Sequence, residues 1–356
     1  MGARTRGLAN NVLSSGKLDA TDAISGTIAA GNIADASLTS ATTFGSITGG
    51  VPAVASDPPS PAEGDIWYNT TTGNLRFRAK SEAWATGGNL NTARAQFAGA
   101  GTQTAALGFG GNFPVLAVTE SYNGSSWTEV NDLNTAKKDF AGSGTQTAAL
   151  AFGGNPPPGA TGATESWNGT NWTEVNDLNT GRDDLAGAGI QTSTLAFGGY
   201  AAPTYRALTE SWNGTSWTEV NDLNTAKNQL AGVGADNTSA LTFGGQPGGG
   251  VTGATESWNG TSWTEVNDLN TGRSRLMAAG TQTAALGSGG ETPSRTGVTE
   301  TWNGTSWTET TDLTTARAAI AGAGTKTAAL AFGGEVSPFT AATEEWTVGD
   351  TTFTVG

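Results

Sequence analysis

The stretch Thr209 to Lys227, TESWNGTSWTEVNDLNTAK, recurs almost verbatim along the chain, with copies beginning at Thr119, Thr164, Thr209, Thr255 and Thr299, a degenerate sixth at Thr343, and the aromatic of a partial copy at Trp84. Repetition this close restricts the fold to architectures in which each unit buries its apolar face against its neighbours. The Leu that opens the Leu-Asn/Thr-Thr step falls at Leu90, Leu133, Leu178, Leu223, Leu269 and Leu313, so the unit is 43 to 46 residues long. That length suits four short strands.

Reading one unit from Lys137, strands are expected at Phe140 to Gly144, Thr147 to Phe152, Ala163 to Trp167 and Trp172 to Val175. Gly153-Gly154 and Asn168-Gly169 supply the turns between them. Gly contributes 53 of the 356 residues and charged residues only 13%, the balance of a turn-rich all-β chain. Twelve Trp and twelve Phe supply the apolar area that a disordered Gly/Ser-rich chain lacks.

Several functions are disfavoured at once. A formal charge of −14 with dispersed Lys and Arg argues against nucleic-acid binding, so no nucleic-acid partner is expected. The absence of Cys and His removes disulfides, thiolate or imidazole metal sites, Cys nucleophiles and His bases. No run of eighteen apolar residues exists and the N-terminus lacks a signal-peptide core, so neither membrane insertion nor general secretion is expected. No catalytic residue, metal ligand or cofactor is expected.

Ahead of the repeats the composition changes. Residues 1–62 form an Ala/Ser/Thr/Gly-rich arm, too sparse in apolar residues to fold alone, ending in the Pro-rich linker SDPPSP. Residues 63–88 read as a hairpin and a closing outer strand. Ile66 and Tyr68 alternate with polar residues before a Thr-Thr-Gly-Asn turn, and Leu75 and Phe77 after it, so these four are expected to pair. Residues 89–356 hold the repeats.

The unit resembles the kelch repeat: a basic residue follows a turn in Asn134-Thr135-Ala136-Lys137, a hydrophobic strand ends in Gly-Gly in Ala148 to Gly154, and Trp167 and Trp172 hold the aromatic places. The resemblance, which covers residues 84 to 356, implies an all-β, kelch-type β-propeller with one four-stranded blade per repeat, preceded by the extended arm and the β-hairpin. Six Gly-Gly signals, at Gly110, Gly153, Gly198, Gly244, Gly289 and Gly333, imply a six-bladed ring. The small residues Ala98 to Gly101 and Ala141 to Gly144 suit crowded inner strands, and Trp84 is placed to join the last blade.

Asn-Gly-Ser/Thr at Asn123, Asn168, Asn213, Asn259 and Asn303 reads as a hairpin turn in preference to a glycosylation site. Glu129 and Asp132 and their equivalents recur in every unit, so they are expected to cap turns or meet Lys137, Arg182 and their counterparts. The connection after each Gly-Gly, by contrast, varies in length and content. Propeller symmetry places these connections on one face. Phe113, Tyr200, Tyr205, Arg206, Arg295 and Phe339 are the side chains there best suited to stack on a sugar or anchor a protein.

The segment GDIWYNTTTGNLRFR followed by near-identical repeats is similar to tail-fibre-like structural proteins of bacteriophage virions. That resemblance implies a virion protein without enzymatic activity, assembled in the bacterial host cytoplasm in multiple copies per particle, a homotrimer included. Residues 1–62 would hold other virion proteins and the propeller would contact host-surface glycan or protein. The alternatives are a purely architectural capsid or tail decoration, and a polysaccharide depolymerase using Glu291 or Glu335.

Overall fold

The computed structural model describes residues 51–355. Positions 1–50 of the expected docking arm lie outside them. The described residues are all strand, turn and loop, without a helix. They fall into two compact units, divided at Glu82–Ala83 and Thr347–Val348.

In the smaller unit, Ile66–Asn69 pairs antiparallel with Asn74–Thr86, placing Ile66 opposite Phe77 and Tyr68 opposite Leu75, as the alternation predicts. Gly73 makes the turn at φ +73°, a left-handed conformation that costs glycine no Cβ clash. The Pro-rich segment is more than a spacer. Ala53–Val54 pairs in parallel with Tyr68 and Asn69, and Asp57 accepts bonds from Trp67 Nε1 at 2.9 Å and Asn69 Nδ2 at 2.8 Å and pairs with Arg76. These donors, the indole first, hold the Asp57 carboxyl below its usual range. Phe77 and Phe353 stack with centroids 5.1 Å apart.

The larger unit contains the repeats. In the third, Ala186–Ile190, Ser193–Phe197, Thr209–Trp212 and Trp217–Val220 form an antiparallel meander. The unit read from Lys137 gives Ala141–Gly144, Ala149–Phe152, Thr164–Trp167 and Trp172–Val175, within two residues of expectation at each end. Among the described residues there are five such four-stranded sheets, one six-stranded sheet and two two-stranded ribbons, and no sheet closes on itself. The number of sheets therefore exceeds the six expected. Two of the connections after Gly-Gly, Tyr200–Tyr205 and Glu291–Arg295, fold into ribbons of their own. In the six-stranded sheet, Asn74–Thr86, the strand that carries Trp84, lies beside Thr343–Val355. Repeated four-stranded sheets without helices give a propeller-like architecture.

Cores lie between consecutive sheets. Phe152 of the second sheet packs with Leu178, Leu185, Trp212 and Trp217 of the third unit, and its ring lies 5.0 Å from that of Trp217. The same pairing joins Phe109 to Trp172, Phe197 to Trp263, Phe243 to Trp307 and Phe332 to Trp127. Each Trp ring covers roughly 150–250 Å², about 4–6 kcal/mol gross at ~25 cal/mol per Å². Small residues are required on the inner strands: a Cβ on Gly187 would stand 2.5 Å from the Phe152 ring, and one on Gly99 would stand 2.7 Å from the carbonyl oxygen of Gly322.

A buried ion pair sits in each repeat: Arg94–Glu120, Lys137–Glu165, Arg182–Glu210, Lys227–Glu256, Arg273–Glu300 and Arg317–Glu344. The acid is thus the Glu of the Thr-Glu-Ser/Thr/Glu step, on the third strand of each sheet. The Glu129, Glu174, Glu219, Glu265 and Glu309 series stays exposed on the fourth strand. Its Asp partners do cap: Asp132, Asp177, Asp222, Asp268 and Asp312 each accept from the backbone N–H of the Thr that opens the third strand, at 3.0–3.1 Å. Burial pulls Arg182 and Lys137 below their ordinary pKa, while Glu210 and Glu165 oppose the shift.

Candidate binding face

Each chain crossover from one sheet to the next ends on a residue with left-handed backbone: Gln96, Asp139, Asp184, Gln229, Arg275 and Ala319, with φ between 51° and 58°. Most residues other than glycine, Asn and Asp adopt this conformation rarely. Its purpose is visible in the hydrogen bonds. The amide N–H of Asp139 donates to the carbonyl of Gln96 at 3.0 Å, Asp184 to Asp139 at 2.7 Å, Gln229 to Asp184 at 2.8 Å, Arg275 to Gln229 at 2.9 Å, Ala319 to Arg275 at 2.8 Å and Gln96 to Ala319 at 3.2 Å. Six backbone bonds close a circle: five join residues 43 to 46 apart in sequence, and the sixth ties Gln96 of the first repeat to Ala319 of the last. The inner strands that follow also contact one another in the same cyclic order.

The circle surrounds a cavity of about 120 Å³, whose wall alternates these residues with Phe97, Phe140, Leu185, Leu230, Leu276 and Ile320. The variable connections start beside it. Ala95 bridges to Asn112, Asp183 to Tyr200, Asn228 to Gln246, Ser274 to Glu291 and Ala318 to Glu335, and Asn155 N–H donates to Lys138 O at 2.8 Å. The residue just before each axial position therefore holds the first residue of a loop. All six connections and the axial cavity share one face.

The doubled glycines make this possible. Gly198 and Gly199 take φ +66° and +107°, and a Cβ on either would stand 2.8 Å from a crossover carbonyl, Lys227 O or Asp183 O.

The six side chains singled out from the sequence fall into three groups. Phe113 and Phe339 meet across the first and last repeats with centroids 5.0 Å apart, and Phe113 is 69% exposed. Tyr200 and Tyr205 face each other edge-on at 5.5 Å within their ribbon, beside Arg206. Arg295 reaches across to the last connection and pairs with Glu335 at 2.5 Å. They decorate the rim without converging on one point. The axial side chains went unnamed in the sequence reading, although a signal exists: the two residues between the basic residue and the following Phe, Leu or Ile change chemistry from repeat to repeat inside an otherwise copied motif.

Charge at the mouth is uneven. Asp139 and Asp184 lie side by side, and burial raises both carboxyls above their ordinary range, Asp184 to about 7, with the neighbouring Asp139 charge adding to the rise. Asp183 is raised as well, chiefly by burial. On the opposite side Arg275 faces Glu291 at 3.6 Å and Glu335 at 3.8 Å. Among the described residues no cluster of acidic side chains has the arrangement of a metal site.

Compared with known proteins, the chain matches no protein-family model and no curated protein sequence.

Proposed function

We propose that this chain is a bacteriophage virion structural protein, tail-fibre-like, whose kelch-type six-bladed propeller presents one face for attachment to the host surface and whose residues 1–62 anchor it to the particle. The observation that carries the binding half is the grouping of every variable connection and the axial cavity on a single face, while the opposite turns are copied from repeat to repeat. Variation restricted to one face of a rigid scaffold is the arrangement of a recognition surface. The virion half rests on the Gly64 to Arg78 segment and the composition of the arm.

Exposed Phe113 over Phe339, and Tyr205 on its ribbon, offer aromatic faces to a sugar ring or an apolar anchor. Single-site affinity is modest on so open a surface, and many copies per particle raise it by avidity. The depolymerase reading gains no support, because Glu291 and Glu335 are both engaged by arginines.

Fluorescently labelled full-length protein is expected to attach saturably to host cells, and Phe113→Ala/Phe339→Ala to lower attachment at least tenfold, the scale of one lost hot spot. Absence of attachment, together with normal infection by particles whose propeller has been deleted, would assign the chain to architecture instead.

A further inference from the structure

Two of the three groups on the rim are joined through the sixth connection. Arg295 of the fifth connection donates from Nη2 to the Glu335 carboxylate and from Nη1 to the Val336 carbonyl, both at 2.5 Å. From there the sixth connection folds back on itself: the Val336 N–H donates to Pro338 O at 3.1 Å, and Glu335 and Phe339 form an antiparallel bridge. The grip of Arg295 therefore fixes where the Phe339 ring stands, and that ring meets Phe113 of the first connection at 5.0 Å, tilted by 46°. Phe113 is fixed from its own side as well. Its N–H donates to Asn112 Oδ1 at 2.9 Å, and Asn112 Nδ2 donates to Gln96 Oε1 at 2.7 Å.

Packing alone does not account for this arrangement. Phe113 is the most exposed large apolar side chain among the described residues, and its backbone φ is +96°, a conformation that bulky residues rarely adopt. An apolar ring held in water and a rare backbone conformation both work against folding, and such costs collect where a surface is used. A further sign is polar. Glu335 Oε2 makes no hydrogen bond among the described residues, and Arg275 Nη1 stands 3.8 Å from it, beyond hydrogen-bond reach. The Glu335 side chain is 27% exposed, so an acceptor is left open to solvent beside the ring pair.

We propose that the joint of the fifth, sixth and first connections is a binding platform for one neutral hexopyranose ring of a glycan. Phe113 stacks on the C–H face of the sugar, Glu335 Oε2 accepts from a hydroxyl, and Arg295 is a positioning residue that acts through Phe339. An apolar peptide anchor buries itself in an enclosed pocket, whereas the Phe113 ring presents an open face. A pyranose is apolar on its C–H face and polar around its edge, which matches an exposed ring with an open carboxylate beside it. The ion pairs at this joint link Arg275 and Arg295 with Glu291 and Glu335, two charges of each sign. That balance favours a neutral sugar over an acidic one.

This inference rests on the reading of the face as a recognition surface, and its test reads the small ligand directly. Saturation-transfer NMR of the full chain with methyl α-glucoside, methyl β-galactoside and methyl α-mannoside is expected to show saturable binding of at least one, with a dissociation constant on the order of 1 mM. Transfer should be strongest at the C–H hydrogens of one ring face, a readout that needs no variant. Phe113→Ala and Arg295→Ala should each weaken binding about tenfold without moving the urea midpoint. In a Phe339→Ala background, Arg295→Ala should change nothing further, because its effect runs through that ring. Absence of saturable binding by all three glycosides, or binding unchanged by Phe113→Ala, overturns the proposal, and full additivity of Arg295→Ala with Phe339→Ala overturns the positioning role. Tighter binding of N-acetyl-leucinamide overturns the sugar assignment, and tighter binding of methyl glucuronide overturns the neutral one. Sugar binding without attachment to cells would count against the host-attachment reading alone, and attachment without sugar binding against the platform alone.

Discussion

Tyr122 donates its phenolic hydrogen to Glu345 Oε1 at 2.6 Å, and these two residues are where the first and last repeats depart from the shared Thr-Glu-Ser-Trp step. Tyr122 stands in the place of the inner Trp, and Glu345 in the place of Ser or Thr. The two departures meet at the joint between the ends of the repeat array. Gly87 is needed beside them, since a Cβ there would lie 3.1 Å from both polar atoms.

Burial first, and the Glu345 bond second, raise the Tyr122 hydroxyl to about 12. Because the folded state keeps the proton that the unfolded state releases near pH 10, stability contributed by this group is full below pH 10 and is lost as pH rises toward about 12. Tyr122→Phe should unfold about 1–3 kcal/mol more easily at neutral pH, leaving Glu345 without its donor. Chemical denaturation of both proteins at pH 8 and pH 11 checks this. An equal loss for both over that interval would contradict the assignment.

Indole bonds join neighbouring sheets. Trp217 Nε1 donates to Thr164 Oγ1 of the preceding repeat at 3.2 Å, and Trp84, Trp127, Trp172 and Trp263 make the equivalent bond. Trp307 Nε1 has no partner. Thr164→Val should therefore cost about 1–3 kcal/mol for an orphaned buried donor, and Thr255→Val, at the joint where Trp307 is already unbonded, distinctly less. Equal denaturation midpoints would show that the indole bond contributes nothing.

Removing one partner of a buried ion pair should be severe. Arg182→Met leaves Glu210 charged and buried, at an expected cost of about 3–5 kcal/mol. The Arg182→Met/Glu210→Met double variant should recover most of that loss, because no uncompensated charge remains. The four corners of the double-mutant cycle, measured by urea denaturation, give the coupling directly.

Asp184 makes stability fall with pH in a defined window. Its folded pKa, about 7, lies above the unfolded value near 4, so the folded state binds the extra proton between those limits. Its contribution to stability is highest below pH 4, declines as pH rises to about 7, and is level beyond. Asp184→Asn should flatten that decline relative to the unaltered protein. A parallel pair of stability curves would remove Asp184 from the account.

What could be read from the sequence is what repeats locally. Alternation across the Thr-Thr-Gly-Asn turn gave the Ile66–Phe77 and Tyr68–Leu75 register, and Trp, Asn-Gly and Gly-Gly marked the strands of each unit. What the sequence hides lies between units. Glu165 and Glu174 both sit in short strands of similar polarity, and only the sheet order, which makes Trp172–Val175 the outer edge, decides which one is buried beside Lys137. The axial residues were hidden for a related reason. Their neighbours lie in other repeats, and their left-handed backbone is not announced by glycine. The Tyr200–Tyr205 ribbon leaves no mark on the sequence pattern, because strands of two residues are too short to show alternation.

The circle of hydrogen bonds at the axis is made by main-chain atoms alone. Its bonds therefore accommodate different side chains, and Gln, Asp, Arg and Ala all occur among its six members. Architecture and chemistry are uncoupled at this one place: a substitution there rewrites what the mouth offers to a partner while leaving untouched the bonds that keep the mouth round. A lineage pressed to change its target could do so here one residue at a time, without re-solving the fold.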